Sequence, residues 1–209
     1  MRKALLIVLA TAALLMAASC KSTPPEVAVP LPETELAKAK ELKAKADLYN
    51  LGPLAQAEYN AAESDLKAGE AAYGKDNAAS KASLDKAIAG YQAVIDKAGP
   101  LYLGTLNDKA AAAKKTADDL KASVAVKDDY AKAQAVYDRA LKEKAANDLA
   151  AATKDFEEAR KLFEAVAKVA AEKRDKALAA SAGAVKAQAD AEAAAAAAQK
   201  ALESEGLGN

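Results

Sequence analysis

The residue with the most distinctive chemistry in this sequence is Cys20, the single cysteine among 209 residues. It follows two basic residues, Arg2 and Lys3, an apolar run over residues 4–18, and the small residue Ser19. Basic residues, an apolar segment of about 15 residues and then small residues are the layout of a secretory signal peptide. The apolar run is shorter than the roughly 20 residues that a transmembrane helix needs. The sequence therefore predicts export, with cleavage just before Cys20.

The run Ala17-Ala18-Ser19-Cys20 resembles the lipobox of bacterial lipoproteins, in the relaxed form of spirochaetes, with Ala17 where that family most often has Leu. The resemblance implies that residues 1–19 are a signal peptide and that Cys20 is lipidated on sulfur. A further acyl chain, such as palmitate, would modify the new amino terminus. Lys21 after the cysteine implies the outer membrane of the cell envelope, facing the periplasm or the surface. The alternative is an ordinary secreted protein with a lone thiol near the cleavage point.

The segment after the lipidation site is rich in proline. Residues 21–32 contain four of the six prolines in the chain and show almost no periodicity. Such a segment favours an extended conformation of roughly 3 Å per residue. Residues 20–32 are therefore predicted to be a lipidated tether.

Composition argues against several classes of function. After removal of Arg2 and Lys3 with the signal peptide, 28 of the 30 basic residues remain beside 30 acidic residues. This balance gives no basic excess for binding nucleic acid. Histidine is absent, and Cys20 would be blocked by lipid, so the usual general base and metal ligands are missing. The sequence predicts a protein that is not an enzyme, with no catalytic residues, no metal and no cofactor.

Alanine supplies 61 of the 209 residues, and Lys, Glu and Leu are also frequent, which favours helix strongly. Apolar residues recur at steps of three and four from Pro32 onwards. The prediction is an all-α fold of about six antiparallel helices, as an array of helical hairpins or an elongated bundle. Gly99-Pro100 is expected to separate the third helix from the fourth. The last helix is expected to be longer than about 50 residues, or roughly 80 Å. A helical-hairpin domain is predicted over 33–180, followed by an alanine-rich helical tail over 181–209.

An internal repeat is the most informative pattern in this predicted domain. Residues 57–98 can be aligned with residues 128–170, and aromatic or bulky residues coincide. The coincident pairs are Tyr59 with Tyr130, Leu66 with Tyr137, Leu84 with Phe156, Tyr91 with Phe163, and Val94 with Val166. These two segments resemble tetratricopeptide repeats in their alternation of alanine and aromatic residues. The resemblance implies helical hairpins that present a concave face to a partner.

Five tyrosines are the candidates for such a face. They are Tyr59, Tyr73, Tyr91, Tyr130 and Tyr137. Their hydroxyls and rings can line a groove between hairpins, or their rings can fill the core while the hydroxyls reach its edge. The spacing by threes and fours favours the core.

Two functions fit these features. The first is a structural or scaffolding lipoprotein of the envelope, anchored to the membrane at Cys20 and holding an envelope protein partner. The second is a tetratricopeptide-like module that binds a ligand or partner, for example as an accessory to a solute transport system. The whole chain also resembles alanine-rich helical lipoproteins of spirochaetes and other bacteria with two membranes, which implies an envelope location. A hydrolase is the third alternative and would need carboxylates clustered in a cleft.

Overall fold

The helices form as the alanine content and the spacing of apolar residues predict. The computed structural model describes residues 29–204 and residue 206. This part of the chain is 89% helical and contains no strand, which confirms the all-α class. The predicted signal peptide, Cys20 and the tether up to residue 28 lie outside the described residues.

Six α-helices make up the described chain. They are α1 (Glu33–Leu48), α2 (Gln56–Ala72), α3 (Asn77–Asp119), α4 (Ala122–Ala125), α5 (Lys127–Ala145) and α6 (Leu149–Ser204). A short 3-10 helix, Gly52–Leu54, connects α1 to α2. The last helix has 56 residues and is therefore about 84 Å long at 1.5 Å per residue.

The predicted break at Gly99-Pro100 is wrong, because α3 runs through both residues as one helix of 43 residues. Pro100 is exposed, so its ring projects to solvent and the helix loses one backbone hydrogen bond. Gly99 is buried, and a Cβ there would meet the side chain of Leu149 at 3.4 Å. Buried Ala98 and Leu103 anchor the helix on both sides of the proline. Packing against α6 therefore outweighs the cost of an interior proline, about 3 kcal/mol.

The chain turns instead after Asp119, where α3 ends. Lys121 has a left-handed backbone with φ of 55°, and the four-residue helix α4 follows it. The apolar stripe predicted to continue to Val124 is interrupted here, and Val124 is 82% exposed. The count of six helices thus agrees with the prediction, although the third and fourth predicted helices are one and α4 was not foreseen.

Two equivalent structural units share helix α3. The first unit, residues 33–100, contains α1, α2 and the first half of α3, and both other helices pack on α3. The second unit, residues 104–172, contains the second half of α3, then α4, α5 and the first part of α6. There α3 and α5 both pack on α6.

The sequence spacing between equivalent positions is nearly constant. Before the turn that precedes the last helix of each unit, equivalent positions are as far apart in the sequence as Tyr59 and Tyr130. After that turn the spacing is one residue longer, as from Tyr91 to Phe163. This spacing, the period of the repeat, relates the structures of the two units as well as their sequences.

The turns of the two units also correspond. Asn50 and its counterpart Lys121 both have positive φ, of 49° and 55°. Asp76 caps the start of α3 by accepting from the backbone N–H of Ala79, at 2.9 Å. Its counterpart Asp148 accepts from Ala151 at 3.1 Å at the start of α6. Similar turn chemistry therefore positions the helices of both units.

The hydrophobic core lies within the two units and does not extend beyond the second. Its large buried residues include Tyr91 and Leu84 in α3, and their counterparts Phe163 and Phe156 in α6. From residue 172 to residue 204 every residue of α6 is exposed. The second half of α3 is covered, whereas the corresponding second half of α6 is bare.

Candidate functional site: two tyrosine clamps and a groove

The first cluster of interacting polar groups joins α1 to α2. Lys43 Nζ donates to the hydroxyl of Tyr59 at 2.7 Å and to a carboxylate oxygen of Asp47 at 3.0 Å. The Tyr59 hydroxyl in turn donates to Asp47. Behind it, the ring of Tyr59 meets the buried ring of Tyr91 edge to face, with centroids 5.7 Å apart. We call Lys43, Asp47 and Tyr59 the first clamp.

The second clamp has the same construction at the equivalent place in the second unit. Lys114 Nζ donates to the hydroxyl of Tyr130 at 2.9 Å and to Asp118 at 2.7 Å, and the Tyr130 hydroxyl donates to Asp118. The ring of Tyr130 packs edge to face on Phe163 at 5.6 Å. The lysine ammonium lies over the tyrosine ring in each clamp, 5.1 Å from its centroid in the first and 5.6 Å in the second. The two clamps therefore repeat both their hydrogen bonds and their ring geometry.

The charges in the clamps stabilise each other. Burial disfavours ionised Asp47 and Asp118, but hydrogen bonds from tyrosine and lysine outweigh it and hold the pKa of both carboxyls below the ordinary value. Hydrogen bonds to Asp118 and Tyr130 raise the pKa of Lys114 to about 12. All four lysine and aspartate side chains are thus charged at neutral pH. Ionised groups of this kind fix tyrosine orientation and offer no group poised for proton transfer near pH 7.

The repeat in the sequence predicts that the tyrosines of the clamps are equivalent, but it does not by itself predict their lysine and aspartate partners. On alanine-rich helices, a lysine followed four residues later by an aspartate reads as an ordinary solvated face. The available signal was the recurrence of Lys-x-x-x-Asp at the spacing of the repeat: Lys43 with Asp47, and Lys114 with Asp118.

The other predicted groove tyrosines have separate surroundings. Tyr91 is fully buried, and burial raises its pKa to about 12. Tyr137 is half-buried, donates to Asn107 at 2.9 Å and packs against Phe156 and Phe163. Tyr73 is half-buried at the C-terminal end of α2. The five candidates therefore do not converge on one surface, although Tyr59 lines a shallow groove of about 360 Å³ beside Pro53 and Gln56.

A larger groove of about 700 Å³ lies between α3 and α6. Its apolar lining includes Leu106, Ala113 and Phe156. Its charged lining comprises Lys109, Glu157, Arg160 and Glu164, of which Arg160 donates to Glu164 at 2.6 Å. The volume falls within the range of small-molecule sites, and an apolar floor with a charged rim suits a peptide or an organic ligand.

One buried carboxylate lies outside the clamps and the groove. Asp155 of α6 is 3% exposed and accepts two hydrogen bonds from the guanidinium of Arg139 on α5, one of them at 2.9 Å. This arginine lowers the pKa of Asp155, whereas burial and the Asp155 charge raise the pKa of neighbouring Glu143. Arg139 provides a partner for the buried charge, and the cluster links α5 to α6 within the second unit.

Within residues 29–204, no three His, Cys, Asp or Glu side chains come together as a metal site would require. No described helix has the length and apolar character to span a membrane. Comparison of the chain with protein families, with curated proteins and with solved structures gave no match.

Proposed function

We propose that this chain is a lipoprotein of the bacterial cell envelope, anchored through Cys20, with a structural or scaffolding role that involves no catalysis. The observation that carries the scaffolding role is the exposed end of α6, residues 172–204. A helix of this length without a covering layer is suited to contact with another protein, since most helices in folded proteins owe their stability to packing. The anchor itself rests on the lipobox resemblance.

The proposed arrangement places the folded units at the end of a proline-rich tether. Residues 21–32 would span roughly 35 Å in a polyproline II conformation, at about 3 Å per residue. Lipid on Cys20 would hold the chain at the membrane, and the bare end of α6 would meet an envelope protein partner. On the lipoprotein pattern, with Lys21 after the cysteine, this membrane is the outer membrane.

The anchor is tested by expressing the full chain and a Cys20→Ser variant in a bacterium with two membranes, in the presence of labelled palmitate. We expect label and membrane fractionation for the parent, and neither for the variant. Equal labelling of the two forms would contradict lipidation at Cys20. Export with no label in either form would favour an ordinary secreted protein.

The scaffolding role is tested by chemical crosslinking on intact cells that carry either form, followed by recovery of the complexes. We expect defined crosslinked partners with the lipidated chain and their loss with Cys20→Ser, because the variant is no longer held at the membrane. A chain that gains no partner in either form would contradict the scaffold.

The groove between α3 and α6 supports a second candidate, a tetratricopeptide-like module that binds a ligand or partner, for example beside a solute transporter. Its apolar lining of Leu106 and Phe156 is the observation in its favour. The test is a screen of residues 33–209 against peptides and small solutes by NMR, with Leu106→Glu as the variant that blocks the groove. Binding that survives this substitution would place the ligand elsewhere.

A further inference from the structure

The bare half of α6 carries the pattern of the first helix of a unit. Residues 182–190 are separated in sequence from residues 110–118 of α3 by the same number of residues that separates Phe163 from Tyr91. They therefore occupy the place of a first helix in a third unit. The chain described to residue 204 supplies no second and third helix for that unit.

The correspondence extends to the clamp residues. Lys43 and Asp47 of the first clamp match Lys114 and Asp118 of the second, and Lys186 and Asp190 in the tail. The apolar stripe recurs as well: Ala39, Leu42 and Ala46; then Ala110, Ala113 and Ala117; then Ala182, Val185 and Ala189. Both the apolar stripe and the lysine–aspartate pair therefore occur a third time at the period of the repeat.

The third copy of the apolar stripe differs from the other two because it is exposed. The six stripe residues in α1 and α3 are at most 9% exposed. In the tail, Val185 is 66% exposed and the preceding Leu178, the counterpart of Leu106, is 62% exposed. Two large aliphatic side chains on one otherwise alanine-rich face mark a surface that packing would stabilise.

The charge pair gives this face a specific chemistry. In both clamps, the lysine and aspartate of the first helix bind the hydroxyl of a tyrosine that comes from another helix. The same pair in the tail, Lys186 and Asp190, is exposed and has no tyrosine beside it within the described chain. A lysine donor and an aspartate acceptor four residues apart suit a hydroxyl group, which can accept from one and donate to the other.

We propose that residues 178–190 of α6 are the docking face for a helical hairpin of a partner protein, and that Lys186 and Asp190 bind a tyrosine hydroxyl of that hairpin. The interface continues the one that α6 already makes with α3 and α5, and it copies the way the second unit covers α3. This deepens the proposed scaffolding role, on which it rests for the existence of a partner. It does not depend on lipidation.

A second copy of the chain is a poorer occupant. Tyr59 and Tyr130 are held in their own clamps, so a second copy would have to open a folded unit to offer either one. A pair of tails would bring together mostly alanine side chains, which bury little apolar area. A partner with its own tyrosine-bearing hairpin has neither cost.

The test uses the chain from residue 20 onwards with Cys20→Ser, so that no lipid is needed. The probe is a synthetic peptide of residues 121–172, which contains the tyrosine-bearing hairpin of the second unit. The chain is labelled with ¹⁵N and titrated with unlabelled peptide. We expect backbone shifts centred on residues 178–190, and an apparent Kd raised roughly ten-fold by Tyr130→Phe in the peptide or Asp190→Ala in the chain, as loss of a hydrogen bond to a charged group implies. Glu203→Ala, farther along the same helix, is the control that should leave the Kd unchanged.

A second measurement does not require the free peptide to fold. Residues 120–172 are joined directly after Ala191, the counterpart of Asp119, so that the tail becomes the first helix of a third unit. We expect amide hydrogen exchange in residues 178–190 to slow towards the rates of residues 106–118, and to speed up again with Asp190→Ala.

The proposal is overturned if residues 178–190 show no change in either measurement. It is also overturned if the changes there are the same with and without Asp190→Ala and the tyrosine substitution. Shifts confined to residues 103–120 would mean that the peptide only displaces the native second unit, which also overturns it. Concentration-dependent self-association through residues 178–190, without peptide, would make a second copy the occupant. Loss of lipidation in cells would contradict the proposed anchor and leave these outcomes unchanged.

Discussion

Tyr59 and Tyr130 occupy the same place in two structural units, each with its hydroxyl between a lysine and an aspartate of the first helix of its unit. Each ring also rests edge to face on an aromatic ring of the last helix of the unit. The tyrosine therefore joins the three long helices of its unit. This relationship indicates that the clamps stabilise the fold and set the orientation of the first helix.

Substitution of Tyr130 by Phe tests the clamp by removing the hydroxyl and keeping the ring. Hydrogen bonds to charged groups contribute about 1.5–3 kcal/mol, and the partial exposure of Tyr130 lowers the expected loss to about 1–2 kcal/mol. Urea unfolding monitored by circular dichroism gives the value. Tyr73→Phe is the control, because the Tyr73 hydroxyl makes no hydrogen bond among the described residues and its loss should change little. Equal effects of the two substitutions would show that the clamp does not contribute to stability.

Substitution of Glu143 by Gln tests the carboxylate pair beside Arg139. The pKa of Glu143 is raised in the folded chain by burial and by Asp155, so the folded state binds this proton more tightly than the unfolded state. The stability from this group is present below an unfolded pKa of about 4.3 and is lost as pH rises through the folded pKa. The glutamine variant should therefore be more stable than the parent at pH 7, with the gain vanishing below about pH 4.

The measurement is the urea midpoint at a series of pH values between 3 and 8. Glu157→Gln, at an exposed position on α6, is the control for the loss of a glutamate charge on that helix. Asp155 has the opposite sign, since its lowered pKa adds stability that is lost as pH falls, and both variants retain it. A gain for Glu143→Gln that is the same at pH 3.5 and pH 7 would contradict the assignment.

Substitution of Pro100 by Ala should stabilise the chain. An interior proline costs a helix about 3 kcal/mol, and its rigidity in the unfolded chain recovers about 1 kcal/mol. The expected gain in the free energy of unfolding is thus about 2 kcal/mol. Pro53→Ala is the matched control, because Pro53 lies at the start of the 3-10 helix, where no N–H is needed. A Pro100→Ala variant no more stable than the parent would mean that α3 is locally distorted at this site.

Two glycines should respond to alanine with opposite signs. A Cβ on Gly69 would lie 2.7 Å from the side chain of buried Leu84, so Gly69→Ala should destabilise the chain by about 1–3 kcal/mol. A Cβ on Gly104, inside α3, would meet nothing within 4 Å, and Gly104→Ala should stabilise by about 0.5–1 kcal/mol. Thermal melting of both variants beside the parent decides the signs. Stabilisation by both substitutions would indicate that helix propensity outweighs the contact with Leu84, and destabilisation by both would contradict the gain expected at Gly104.

The helices and the repeated aromatic positions were predictable because both depend on local periodicity. Alanine content and apolar spacing fix where a helix lies, and Tyr91 and Phe163 are both buried at the spacing that the repeat predicts. The continuous helix through Pro100 was not predictable, because contacts of Gly99 with Leu149, on a different helix, decide it. Local sequence argued for a break there, and tertiary packing outweighed it.

The candidate site was predicted only in part, for a related reason. Tyrosines are rare in this chain, so the match of Tyr59 with Tyr130 stands out, whereas lysine and aspartate are common along the helices. Lysine followed four residues later by aspartate also occurs at Lys81 and Asp85, so this spacing alone does not single out Lys43 until the partner helix places a hydroxyl within reach. Comparison of all three positions at the period of the repeat would have identified the pair.

The shared helix α3 has a consequence for how the molecule responds to load and heat. No flexible linker separates the two units, since the helix that ends one begins the next. The second half of α3 is the first helix of the second unit, and it loses the helical turns that precede it when the first half of α3 unfolds. The two units should therefore unfold in one transition. A force applied along the helices would act on the backbone hydrogen bonds of α3, because no flexible segment between the units could extend first.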